Sequence, residues 1–227
     1  AAIVGCYHSN IRIENNKFIN IPGYAIIATN YINSSIKNNE ITDCASGIIF
    51  RDMAITLYPS EKGNKSKTPK ISSKSVIANN KIEITDKKYK NVNYGIQLLG
   101  EYCSKKKGKI PKGDYRVYGV QVYGNEINLK NAAYGIWLNG TGNIRVNNNV
   151  VNMQVPRKAS GKSGGTAVRV ISSKGSKINR NTIINTSKNK NKKLYRGIEL
   201  IGKKAGSASG NKFKGFAKKQ QTIKRKS

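Results

Sequence analysis

Apolar and polar positions recur along this chain in a fixed order. One motif is an apolar residue, two variable residues, Asn, one variable residue and a second apolar residue. It occurs as Ile13…Asn16…Phe18, Ile36…Asn39…Ile41, Ile77…Asn80…Ile82 and Val122…Asn125…Ile127. Three further copies are Val146…Asn149…Val151, Ile178…Asn181…Ile183 and Ala208…Asn211…Phe213. A second motif sets a small residue before two apolar residues spaced by two, as in YGIQL and YGIWL. Its small residues are Ala2, Ala25, Gly47, Gly95, Gly135, Ala167 and Gly197. From small residue to Asn the distance is 14 in five copies, and 33 and 30 in the third and fourth. The basic period is 22 or 23 residues, with insertions at fixed places.

Within each motif the apolar residues fall two apart, as in Ile96 and Leu98, Ile136 and Leu138, Val168 and Val170, and Ile198 and Leu200. A period of two is a strand with one buried face. The same alternation flanks each Asn, so every repeat supplies three short strands joined by tight turns. One such coil cannot bury its apolar side, but stacked coils share a continuous core. The repeat therefore predicts an all-β solenoid of about seven coils over 1–215, followed by a basic, frayed tail over 216–227.

Composition agrees with strand over helix. The 227 residues include 29 Ile and 12 Val against 7 Leu, and β-branched side chains suit strands. The 28 Asn and 22 Gly tolerate the left-handed backbone of turns. No apolar run approaches the roughly 18 residues of a membrane helix. The chain opens at AAIVG in material that already reads as strand, so it is expected to be a fragment or mature form truncated on its N-terminal side. Cys6, Cys44 and Cys103 form no CxxC pair and read as small apolar residues rather than a zinc site or disulfide framework.

With these motifs the sequence resembles the right-handed parallel β-helix proteins of the pectate-lyase-like superfamily over residues 2–215. The resemblance implies that the strand after the small residue is the first of each coil. It also implies that Asn16, Asn39, Asn80, Asn125, Asn149, Asn181 and Asn211 stack as a ladder in the turn between the second and third strands. A side-chain amide both donates and accepts, so a column of them can satisfy backbone groups in successive coils. Such a ladder is scaffold and carries no chemistry.

The long insertions sit around RDMAITLYPSEKGNKSKTPK, GEYCSKKKGKIPKGDY, DKKYKNVN, QVPRKASGKSGG and SKNKNKKLY. All five flank the first strands, while the Asn turns stay minimal. Loops gathered around one face of a rigid scaffold are where function is commonly mounted. With rungs ~4.8 Å apart, seven coils give a groove of about 30 Å, the size of an extended polymer. Alternation puts Val4, Ile27, Ile49, Gln97, Trp137, Arg169 and Glu199 on its floor. Two residues on come Cys6, Thr29, Arg51, Leu99, Asn139, Ile171 and Ile201.

Candidate substrate-binding residues are Trp137, Gln97, Arg51, Asn139, Glu199 and the loop cations Lys105, Lys106 and Lys107. Trp137 is the only tryptophan, and an outward indole suits the apolar face of a sugar. Arg169 and Glu199, one coil apart, read as a cross-strand ion pair. The resemblance implies another role, since β-helix polysaccharide lyases use an Arg or Lys base and neutralise the uronate carboxylate with Ca²⁺ or further cations. Arg169, Asp52 and Glu101 are accordingly the candidate catalytic residues. With Asp114 the two carboxylates could hold Ca²⁺ or serve a glycosidase as acid and base, but no metal ligand set is assigned. The superfamily's Gly-His-Gly, paired Asp-Asp and Asp-Pro-His-Asp signatures are missing, and His8 lies apart from the looped coils.

Charge completes the picture: 42 Lys and Arg against 11 Asp and Glu give +31, which favours a polyanionic partner. Without an arginine fork or a known reader module, nucleic acid is disfavoured. The expectation is a monomeric protein, secreted or at a cell surface, binding an anionic, uronate-type polysaccharide. Lyase-like or hydrolase activity stays open; the alternative is a catalytically silent carbohydrate-binding, adhesive or structural β-helix.

Overall fold

Alternating apolar positions at a 22–23-residue period fold as three parallel sheets wound around one core. The computed structural model describes residues 1–6, 8–53, 74–85, 93–101, 117–130, 134–154, 165–188 and 195–226, with the side chains of Asp52, Met53 and Glu101 excepted. The first sheet has eight strands: Ile3–Cys6, Tyr24–Thr29, Ser46–Met53, Tyr94–Glu101, Tyr134–Asn139, Thr166–Ile171, Arg196–Ile201 and Thr222–Arg225. The second runs in seven strands from Arg12–Glu14 to Gly206–Ser209, and the third in seven from Lys17–Ile19 to Lys212–Lys214. Every strand pairs in parallel with its equivalent one coil away, for example Ile96 with Ile136 and Ile136 with Val168. This is a parallel β-helix, and the eight apolar residues expected to face inward on its first strands are all buried.

The seven Asn residues form one column. The amide Nδ2 of Asn149 donates to Asn181 Oδ1 at 3.0 Å and to the Val122 carbonyl at 2.9 Å. Its Oδ1 accepts from the backbone N–H and the Nδ2 of Asn125, at 3.0 and 2.9 Å. The same pattern runs from Asn16 to Asn211, so buried polar groups in consecutive turns satisfy one another. The residue before each ladder Asn takes a left-handed φ: Asn15, Asn38, Asn79, Gly124, Asn148, Arg180 and Gly210. Six of these are Asn or Gly, the types that tolerate this region; Arg180, at φ 55°, is the exception.

The small residue of the first strand has a steric cause. A Cβ on Gly135 would lie 2.5 Å from the Ala167 carbonyl oxygen and 2.8 Å from Val151 Cγ1. At Gly95 it would meet Ile127 Cγ2 at 2.6 Å. This position thus points inward, as does the next residue, and strict alternation lapses there. Consequently Tyr94 and Tyr134, just before it, stand on the outer face.

The basic end is ordered rather than frayed. After a short helix, Lys218–Gln221, the strand Thr222–Arg225 adds an eighth rung against Arg196–Ile201. Its inward positions, Thr222 and Lys224, are exposed, with no described coil over them.

Candidate functional site

The outer face of the first sheet carries the columns that alternation predicts. Val4, Ile27, Ile49, Gln97, Trp137, Arg169 and Glu199 align rung on rung, and so do Thr29, Arg51, Leu99, Asn139, Ile171 and Ile201. The face changes character along the axis. In the first column the early coils are apolar; across the face the fourth and fifth coils carry rings and the last three carry cations.

Trp137 does not stand alone. Its ring stacks on Tyr94 at 4.9 Å between centroids and 14° between planes, and lies 6.0 Å from Tyr134. Tyr94 and Tyr134 stack at 5.7 Å. Its indole N–H is buried and has no acceptor among the described residues. Burial pushes the Tyr94 hydroxyl above the ordinary tyrosine range; Tyr134 adds to this and Arg169 opposes it. Gln97, also buried, accepts a hydrogen bond from the Tyr24 hydroxyl two coils earlier, across the small Ser46.

Beyond the rings lies a cluster of guanidinium groups. Arg169 Nη1 donates to the Tyr134 hydroxyl at 2.6 Å, and its guanidinium carbon lies 5.3 Å from that ring's centre. Arg169 Nε is 3.3 Å from Glu199 Oε2, an ionic contact without an aligned hydrogen bond. Arg196 Nη1 donates to Glu199 Oε1 at 2.7 Å, and Arg225 Nε lies 3.1 Å from the same oxygen. Glu199 is wholly buried, while the three arginine side chains keep 25%, 29% and 48% exposure. Three cations around one anion leave a local positive excess, with Arg225's two Nη groups in no described hydrogen bond. Planar guanidinium groups match carboxylate and phosphate geometry.

The other candidate residues are dispersed. Arg51 donates from Nε to Thr29 Oγ1 at 3.2 Å. Asn139 sits one coil after Leu99. Asp52 pairs in register with Gly100, and Glu101 with Met53, so their backbones are neighbours. Counting rungs and residues puts each about 16–17 Å from Arg169. Lys105, Lys106, Lys107 and Asp114 lie outside the described residues. Among the described residues, no three His, Cys, Asp or Glu side chains converge as a metal site would require, and no helix is long and apolar enough to cross a membrane.

Tyr94, Tyr134, Arg196 and Arg225 were not singled out by the sequence pattern. The tyrosines were detectable in the twice-repeated YGI, where a ring precedes the glycine. Arg196 occupies the same place in the seventh coil, as RGI. Compared with protein-family models, curated proteins and solved structures, the chain has no match in any of the three. Fold and face together define a parallel β-helix with an aromatic and arginine-rich outer face.

Proposed function

We propose that this chain is a pectate-lyase-like β-helix that binds an anionic, uronate-type polysaccharide along the outer face of its first sheet, as a protein secreted or held at a cell surface. One observation carries the reading: three partly exposed guanidinium groups surround a single buried carboxylate, directly beyond three stacked rings. The rings offer apolar edges to sugar C–H groups, and the unused arginine donors take carboxylates of the polymer.

The geometry favours binding over cleavage. Arg169 already spends Nη1 on Tyr134 and faces Glu199 through Nε, and Asp52 and Glu101 are rungs away. The experiment is to incubate the protein with a panel of uronate polymers, with and without Ca²⁺, recording binding and the ultraviolet absorbance of unsaturated products. Binding without turnover supports the reading. Turnover abolished by Arg169→Ala, with most binding retained, would instead make Arg169 the base of a lyase. Absence of binding at low salt would refute the proposal.

A further inference from the structure

Glu199 is the only acid in residues 127–227, a stretch that also holds 23 Lys and Arg. Because Glu199 is buried, the last coils present no described acidic side chain to solvent on any face. The outer face of the second sheet uses this surplus in an ordered way. Arg145 and Lys177 occupy adjacent rungs of one outward column, and both are exposed. Two residues further along each strand, Asn147, Asn179 and Ser209 form the next outward column.

Beside this column runs a groove of about 370 Å³ lined by Asn147, Asn148, Asn179, Arg180, Ser209 and Gly210. Its chemistry is mixed. Asn147 Oδ1 is buried with no hydrogen-bond donor among the described residues, whereas Asn179 Oδ1 is satisfied by the Ser209 hydroxyl at 2.9 Å. Arg180 supplies a cation at the rim. It stands where every other coil has Asn or Gly, in a left-handed conformation that disfavours an arginine. Backbone strain of this kind is commonly retained where it serves a site.

We propose that this groove is a second binding site, for a hydroxyl-bearing polyanion: an anionic glycan whose hydroxyls meet the exposed Asn148 and Ser209 side chains and whose acidic group meets Arg180, Arg145 and Lys177. The ligand class rests on the function proposed above, but the site lies on a different sheet and is separately testable. Two such faces on one rigid solenoid make the protein a cross-linker that holds two glycan chains at once. One ring, Tyr123, precedes Asn147 in the same column, in place of the three stacked rings of the first sheet, so this face reads chiefly charge and hydroxyls.

The test is calorimetric titration of the full chain with a short oligogalacturonate at low salt, alongside turbidity with the long polymer. Wild type should bind two oligosaccharides per chain and cloud the polymer solution. Arg145→Ser/Lys177→Ser/Arg180→Asn should bind one and cloud it no longer, while circular dichroism stays unchanged. Arg225→Ser should weaken the remaining, first-sheet site in that background. One oligosaccharide per wild-type chain, insensitive to the triple substitution, overturns the second site and leaves the first standing. One oligosaccharide lost in the triple variant but untouched by Arg225→Ser keeps the second site and overturns the first. A single-stranded oligonucleotide of equal charge that binds the second face more tightly than the glycan overturns the ligand assignment.

Discussion

Glu199 shows how much a single buried side chain organises here. Removing its charge as Glu199→Gln leaves three guanidinium groups around a neutral amide. Breaking a wholly buried pair costs about 3–5 kcal/mol; with the arginines partly in water, about 2–3 kcal/mol is expected, read as a lower urea midpoint. An unchanged midpoint would mean that the cluster is not formed. Arg180 predicts the opposite sign. Arg180→Asn relieves a left-handed arginine and should stabilise the fold by about 1 kcal/mol, a gain that urea unfolding resolves. Alkali acts through tyrosines. Burial is the leading cause that raises Tyr31, Tyr94 and Tyr195 above their ordinary value of 10.0. The folded state therefore holds these protons more tightly. The stability this contributes is complete below pH 10 and is lost as pH rises through the folded values. Tyr94→Phe should shrink that alkaline loss, as measured by denaturation midpoints from neutral pH into alkali. Sequence reading found Arg169, Glu199 and Trp137 because they obey alternation. It missed Tyr94, Tyr134 and Arg196 because two successive residues turn inward at the small position, shifting the outward phase by one.

Among the strands and turns, the ladder predicts unequal costs at chemically identical residues. Asn149→Ala removes an acceptor from Asn125 and a donor from Val122 and Asn181 in a buried column. Each buried orphan costs about 1–3 kcal/mol, so a loss of about 4 kcal/mol is expected. Asn16 is exposed at the first coil, its side-chain amide donating to the Glu14 carbonyl and to Asn39 Oδ1; Asn16→Ala should cost less than about 1 kcal/mol. Equal costs would show that the column does not act as a ladder. Ile136→Ala, on the buried side of its strand, should cost about 2–5 kcal/mol. The coils, their period and the ladder were legible because each repeats the same burial demand. The left-handed position before each Asn was also written in the sequence, as NN or GN in six of seven coils. The eighth rung was not, since its inward positions are Thr222 and Lys224 rather than apolar residues.

For the molecule as a whole, charge is divided unevenly: residues 127–227 carry 23 of the 42 cations and one of the 11 acids. A binder built this way associates by long-range attraction, which salt screens over about 8–10 Å. What separates a specific face from diffuse attraction is whether equal charge changes have equal effects. Arg225→Ser removes one cation from the first-sheet cluster, and Lys81→Ser removes one from the exposed side of the third sheet. The decisive measurement is the affinity of fluorescent polygalacturonate for wild type and these two variants over a salt series. A binding face at the arginine cluster predicts that Arg225→Ser lowers affinity about tenfold and the salt slope by about one, with Lys81→Ser close to wild type. Equal, small losses in both variants would contradict it, leaving only a diffuse positive surface.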